Sequence, residues 1–110
     1  AYRRLLDRRR SDQIDFQSVF DRVDAIVAPI CQASAPPLTD IDENAPPALY
    51  GRFVNILDLA SLAVPMGRLR NGLPMGLQIL VRRFDDALAL RIGRAFEKAR
   101  GDEPIRPVGL

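Results

Sequence analysis

Residues 61–82 read Ser-Leu-Ala-Val-Pro-Met-Gly-Arg-Leu-Arg-Asn-Gly-Leu-Pro-Met-Gly-Leu-Gln-Ile-Leu-Val-Arg. Two apolar runs flank the dipeptide Asn71-Gly72, which is the strongest short-range signal for a β-hairpin with a two-residue type I′ turn. We therefore predict one strand over 61–69 and a second over 74–82. A hairpin here makes a β-sheet the framework around which the rest of the chain has to be placed.

The prolines and glycines of the hairpin limit where its strands can lie. Pro65 and Pro74 have no backbone N–H to donate to a sheet ladder, so each should lie at a strand end, at an edge or in a bulge. Gly67 and Gly76 carry no side chain and leave room for another backbone or a ligand to approach.

The segments around the hairpin alternate between helix and strand patterns. Apolar residues at spacings of three and four predict helices, short β-branched runs predict strands, and proline clusters predict loops. In chain order we predict a helix over 1–21 that could break at Ser11-Asp12, a strand over 24–29, a loop over 30–47, a helix over 48–60, the hairpin over 61–82, a helix over 84–100 and a tail over 101–110. This order indicates an α/β fold, a sheet covered by helices.

Two details of these elements bear on packing. The strand over 24–29 is apolar on both faces, which suits burial between helices. Gly51 inside the helix over 48–60 indicates either close backbone packing or a late start of that helix. Since three strands make a poor free-standing sheet, we expect at least one edge to pair with another segment or another chain.

The composition excludes several kinds of site. The 110 residues suit one domain or part of one, and since the first residue is Ala1 we expect a longer parent chain that begins upstream. The absence of histidine excludes a Ser-His-Asp triad and a histidine-ligated metal, and a single cysteine, Cys31, cannot form an internal disulfide or a thiolate zinc site. We predict no cofactor and no metal. No membrane-helix or signal-peptide pattern is present, so we expect a cytoplasmic protein without a membrane partner.

The charge pattern gives no reason to expect a nucleic-acid partner. The 16 basic and 14 acidic residues leave a net charge of only +2. The densest basic cluster, which contains Arg3, Arg4 and residues 8–10, is interleaved with Asp7 and Asp12. We interpret this cluster as a solvated helix face with ion pairs between residues three and four positions apart.

Few reactive side chains remain as candidates for chemistry. Cys31 has no histidine to activate it, and Lys98, the only lysine, lies in the last turn of a predicted helix, where it complements the helix dipole. We interpret neither as catalytic. Asp58 lies between two leucines in a predicted helix, and we expect a structural role for its carboxylate.

Three other residues are candidates for binding. Tyr50, Arg52 and Asn55 follow the long loop and stand in the first turns of the next predicted helix. Loops and helix N-termini are places where ligands and anions often bind. We predict that these three residues contact a small-molecule substrate.

Four segments resemble motifs of the amidase signature family of hydrolases, in the order and spacing of that family. They are Asp24–Pro29 (D-A-aliphatic-aliphatic-x-P), Asn55–Gly67 (N…A-x-S/A-V-P-x-G), Asn71–Leu80 (D/N-G-L-P-x-G-L/V-Q-hydrophobic) and Phe84–Glu97 (the closing helix). The resemblance covers about residues 20–100. Within the family, the run Val54-Asn-Ile-Leu-Asp-Leu59 is similar to allophanate-hydrolase-like enzymes and related bacterial amidases.

The resemblance implies hydrolysis of carboxylic amides through a serine acyl-enzyme, assisted by a second serine in a cis peptide and by a lysine. In the family these groups lie in the N-terminal and central regions, and no segment of this chain matches their motifs. The resemblance therefore assigns no catalytic residue here. It implies a C-terminal fragment of an amidase domain, with a mixed β-sheet covered by helices, that is inactive alone.

Two alternatives remain open. Within the family, the parent could be the glutamine-hydrolysing subunit of a tRNA-dependent amidotransferase, which would have partner subunits. Outside it, the chain could be a non-catalytic α/β interaction module that associates through a sheet edge. Since a three-stranded sheet leaves its edges open, we also predict that the chain forms a homodimer or exchanges strands with a second copy.

Overall fold

The computed structural model describes residues 1–42, 44, 45 and 49–101. Its elements are α1 (Tyr2–Gln17), a 3₁₀ turn (Ser18–Asp21), β1 (Ile26–Pro29), a second 3₁₀ turn (Leu38–Asp40), α2 (Leu49–Leu57), β2 (Ala60–Arg68), β3 (Pro74–Val81) and α3 (Asp86–Arg100). The α/β class and the hairpin are confirmed. Apart from Gly101, the predicted tail lies outside the described residues.

The sheet has the order β1-β3-β2, and both pairs of strands are antiparallel. Leu80 of the central strand lies opposite Ile26 of β1 and Ser61 of β2. Because β3 has neighbours on both sides, it carries the deepest part of the core: Ile79, Leu80 and Val81 have no exposed surface.

The turn of the hairpin differs from the predicted type. A type I′ turn requires positive φ at both central residues, but Asn71 is not among the described non-glycine residues with positive φ. The amide of Gly72 donates to the carbonyl oxygen of Leu69, and the amide of Leu69 donates to the carbonyl oxygen of Leu73, both at 2.9 Å. These bonds close a three-residue loop, Arg70-Asn71-Gly72, in which Gly72 (φ 81°) supplies the left-handed residue.

The prolines of the hairpin occupy the positions expected of them. Pro74 is the first residue of β3, and Pro65 lies in the edge strand β2. Pro65 pairs with Gly76 and Gly67 pairs with Met75, so Met66 is the extra residue of a β-bulge. The bulge and the missing N–H interrupt the ladder pattern of this edge.

Helix α3 packs against one face of β2 and β3. The buried core there consists of Val64, Ile79, Val81 and Ala89, with Ala25, Ala60, Leu62, Leu77, Leu88, Ile92 and Phe96 packed against it. Gly93 allows the close approach of α3, since a Cβ atom at that position would overlap Cδ2 of Leu62. Strand β1 extends beyond this cover. Val27 is 54% exposed, so the prediction of a strand buried on both faces is wrong.

The predicted helix boundaries need three corrections. Helix α1 continues through Ser11 without a break and ends at Gln17. Helix α2 ends at Leu57, because Asp58 adopts a left-handed conformation (φ 60°) that turns the chain into β2. Helix α3 begins at Asp86, because Phe84 is also left-handed (φ 65°).

Candidate functional site

Helix α2 carries the three predicted binding residues, and its first turn is fixed to the sheet by a buried polar contact. Nε2 of Gln78, a residue only 4% exposed, donates a hydrogen bond of 2.7 Å to the carbonyl oxygen of Tyr50. Because Gln78 lies in the central strand, this bond sets the height of the start of α2 above the sheet.

The opposite end of α2 is fixed by α1. Nε and a terminal nitrogen of Arg9 donate to the carbonyl oxygens of Ile56 (2.9 Å) and Asn55 (3.2 Å), and Nε2 of Gln13 donates to Ile56 (3.0 Å). The last carbonyls of a helix have no partner within the helix and carry partial negative charge. A guanidinium group at this position satisfies them and complements the helix dipole.

Asp58 has the structural role expected for it. The amide of Leu59 donates to the carbonyl oxygen of Val54 at 3.0 Å, which is the bond of a Schellman helix end around a left-handed residue. The Asp58 carboxylate lies 3.9 Å from Arg9 and 3.4 Å from Arg83. It thus joins α1, the end of α2 and the turn before α3.

The three predicted binding residues do not share one face of α2. At about 100° per residue, Arg52 and Asn55 lie about 60° apart around the helix axis, whereas Tyr50 lies about 140–160° from both. Arg52 and Asn55 are exposed, and their side chains have no hydrogen bond or ion pair within the described part of the chain. Tyr50 is half-buried and lies within about 40° of the buried Val54 and Leu57, on the inner side of the helix. Two of the three candidates are therefore brought together.

Gly51 does not mark close packing. No atom lies within 4 Å of the position that a Cβ atom would occupy there, and Gly51 is the third residue of α2. Of the two interpretations of this glycine, the structure supports an early helix position and rejects a close backbone approach.

Cys31 lies in an apolar groove of about 290 Å³ between the loop after β1 and the start of β3. Its lining consists of Ile30, Cys31, Ala33, Ser34, Ala35, Pro36, Pro74, Met75 and Gly76. No cationic side chain is among them, so nothing in this lining would stabilise a thiolate. The hairpin turn holds the groove, because Nδ2 of Asn71 donates to Oγ of Ser34 at 3.0 Å.

The ion pairs of α1 differ from those that the sequence predicted for its basic cluster. Within α1, whose residues are all described, no arginine lies within 4.0 Å of an aspartate carboxylate. Arg9 instead reaches Asp58. Lys98 is exposed in the last turn of α3, as expected.

The sequence interpretation missed Gln78. Its signal was present in the sequence: one polar residue stands inside the run Leu77-Gln-Ile-Leu-Val81 of a strand with apolar neighbours. A buried amide in such a run needs a hydrogen-bond partner, but the sequence does not identify Tyr50 as that partner.

The described residues offer no group of three or more His, Cys, Asp or Glu side chains that could hold a metal ion. None of the helices in the described part is long and apolar enough to span a membrane.

Comparisons with known proteins give one consistent family. The family model named Amidase matches residues 1–90. The chain is 37% identical over 101 residues to a glutamyl-tRNA(Gln) amidotransferase subunit from Acidobacterium capsulatum, covering 87% of this chain and 21% of that protein. It is also 37% identical over 102 residues to a fatty acid amide hydrolase from Medicago truncatula, covering 84% of this chain and 17% of that protein.

A solved structure shows the same fold. The crystal structure of a glutamyl-tRNA(Gln) amidotransferase subunit from Thermotoga maritima superposes with a TM-score of 0.71 at 31% identity, covering 93% of this chain and 22% of that one. The chain thus spans about a fifth of the length of the relatives that it matches.

Proposed function

Because the chain belongs to the amidase signature family, we propose that it is the C-terminal segment of an amidohydrolase that cleaves carboxylic amide C–N bonds. The family match over residues 1–90 carries this proposal. The similarity to a protein named fatty acid amide hydrolase supports the reaction class. The chain spans 21% and 17% of the lengths of the two relatives, which supports its being one segment of a longer enzyme.

In the proposed enzyme, the acyl-enzyme forms on a serine outside these 110 residues. Ser18 Oγ donates to the carbonyl oxygen of Asp15 at 2.7 Å, and Ser34 Oγ accepts from Asn71. Lys98 has no hydrogen bond or ion pair to any described residue. None of these contacts joins a serine to a lysine. In the proposed enzyme, this chain supplies sheet strands, a covering helix and one side of the substrate site.

We further propose that the exposed surface of α2 contacts the part of the substrate that varies among family members. Arg52 offers a permanently charged donor and Asn55 offers both a donor and an acceptor. Both side chains are exposed and lack partners in the described part of the chain. Tyr50 is the third proposed contact, on the half-buried side of the same helix.

A kinetic comparison in the complete enzyme tests this assignment. Arg52→Ala and Asn55→Ala should each lower kcat/KM for the native amide by about tenfold or more, since a hydrogen bond to substrate is lost. Arg94→Ala, an exposed arginine on α3, is the matched control and should leave both constants unchanged. Unchanged kcat and KM in both α2 variants would overturn the substrate contact and leave the family assignment standing.

A separate assay tests the proposal that this chain is inactive alone. Purified 1–110 should hydrolyse amides no faster than buffer. Turnover above background would place catalytic groups within this chain and overturn the proposal.

A second candidate is the glutamine-hydrolysing subunit of a tRNA-dependent amidotransferase. It is favoured by the 37% identity to the Acidobacterium capsulatum protein and by the superposition on the Thermotoga maritima one. The two candidates differ in the fate of the amide nitrogen: an amidohydrolase releases ammonia to solvent, whereas an amidotransferase passes it to an acceptor held by partner subunits. Glutamine-dependent transfer in a reconstituted complex would select the second.

A further inference from the structure

A groove runs between α1 and α2. Its volume is about 510 Å³, and it is lined by Asp12, Asp15, Phe16, Val19, Phe53, Ile56 and Leu57. The rings of Phe16 and Phe53 form part of its floor, with centroids 6.1 Å apart. Ile56 is 50% exposed. We call these seven residues the α1–α2 groove.

The rim of the α1–α2 groove is acidic. The side chains of Asp12 and Asp15 make no ion pair or hydrogen bond with any described residue. An apolar floor beside two unpaired carboxylates is complementary to a segment that carries apolar and basic side chains together.

The first half of α1 has that composition. Tyr2, Leu5 and Leu6 are 74%, 66% and 43% exposed, and they lie beside the exposed Arg4 and Arg8. Neither arginine has an ion-pair partner within the described part of the chain. The same helix therefore presents an unpaired basic, apolar half and an unpaired acidic half.

The two halves match each other along one stripe of the helix. Leu5 and Phe16 are 11 residues apart, as are Arg4 and Asp15, and this separation returns to within about 20° of the same direction. Arg8 and Asp12 are four residues apart, within about 40°. All three pairs are centred near residue 10. A two-fold axis there would place each basic or apolar group of one α1 against its complement on an antiparallel copy.

We propose that the α1–α2 groove is a homodimer interface occupied by α1 of a second copy, with Arg4 against Asp15, Arg8 against Asp12 and Leu5 against Phe16 across the two-fold axis. Such an interface is isologous and forms each contact twice. It differs from the sheet-edge pairing predicted from the sequence. That edge is interrupted by Pro65 and the bulge at Met66, and β1 has only four residues.

Charge reversal gives a sharp test. In the variant R4E/R8E every proposed ion pair becomes acid against acid, and in D12R/D15R every pair becomes base against base. Each variant alone should dimerise about 100-fold more weakly than the unaltered chain, as like charges are juxtaposed. An equimolar mixture of the two should form a heterodimer, because every proposed pair then joins an acid to a base.

Sedimentation velocity at micromolar concentration measures these states, and circular dichroism confirms that the helices are retained. The control R91E/R94E makes the same change in net charge as R4E/R8E on the exposed face of α3 and should remain a dimer.

Three outcomes would overturn the proposal. If the unaltered chain is a monomer, the groove is not a dimer interface and is instead covered by another segment of a longer enzyme. Dimers of both reversed variants would place the interface elsewhere, with the sheet edge as the first alternative. Monomers in the mixture would show that the charges do not pair as proposed.

Discussion

Replacing Gln78 by methionine tests the contact that positions α2. Methionine has nearly the same length and volume, so packing in the sheet is kept while the donor to Tyr50 is lost. The bond is 2.7 Å long and its donor residue is 4% exposed. Losing this hydrogen bond costs about 0.5–1.5 kcal/mol, because the carbonyl oxygen of Tyr50 keeps its bond within α2 and is not left unpaired. We expect a net loss of about 1 kcal/mol in the free energy of unfolding.

The assay is thermal and urea denaturation followed by circular dichroism. For a chain of this size the loss corresponds to a Tm lower by about 4–8 °C. Gln13→Met is the matched control: Gln13 also donates to a backbone carbonyl of α2, at 3.0 Å, but at the surface. Water can replace that donor, so the control should lose less than about 0.5 kcal/mol. Equal losses in the two variants, or no loss in Gln78→Met, would refute the assignment of Gln78 as the buried anchor of α2.

Three further predictions concern backbone positions. Asp58→Gly should be more stable than Asp58→Ala by about 1 kcal/mol in urea denaturation, because both lack the carboxylate and only alanine keeps the left-handed strain. Gly51→Ala should stabilise the chain by up to about 1 kcal/mol, because the space at this helical position is open. Gly93→Val should destabilise it by about 1–3 kcal/mol through overlap with Leu62. Changes in Tm of the same sign in the two variants would contradict this contrast. Gly72→Ala should cost about 1 kcal/mol, because its φ is 81°; an unchanged Tm would argue against a left-handed residue in this loop.

The sequence was sufficient for the hairpin because its signals are local. Apolar runs, an Asn-Gly pair and two prolines specify where two strands and a turn lie. These local signals did not determine the type of turn. Asn-Gly is compatible with a two-residue and a three-residue loop, and the choice depends on which ladder bonds close at Leu69 and Leu73.

The candidate site could be predicted only as a set of positions along α2. The sequence identified Tyr50, Arg52 and Asn55 as residues near a loop and a helix start, but the helical period separates Tyr50 from the other two. It did not reveal Gln78 or Arg9, which hold the two ends of the helix.

The sequence by itself determined the class of fold, the family and the location of each element to within a few residues, because these follow from hydrophobic period, turn chemistry and short motifs. The tertiary structure alone decided that α2 ends at Leu57, that β1 pairs with β3, and that α1 leaves one groove open beside α2. These features rest on contacts between residues far apart in the chain, such as Gln78 with Tyr50 and Arg9 with Ile56, separated by 28 and 47 positions. Local propensity does not encode which distant partner a polar group will meet, since that depends on how the elements pack together.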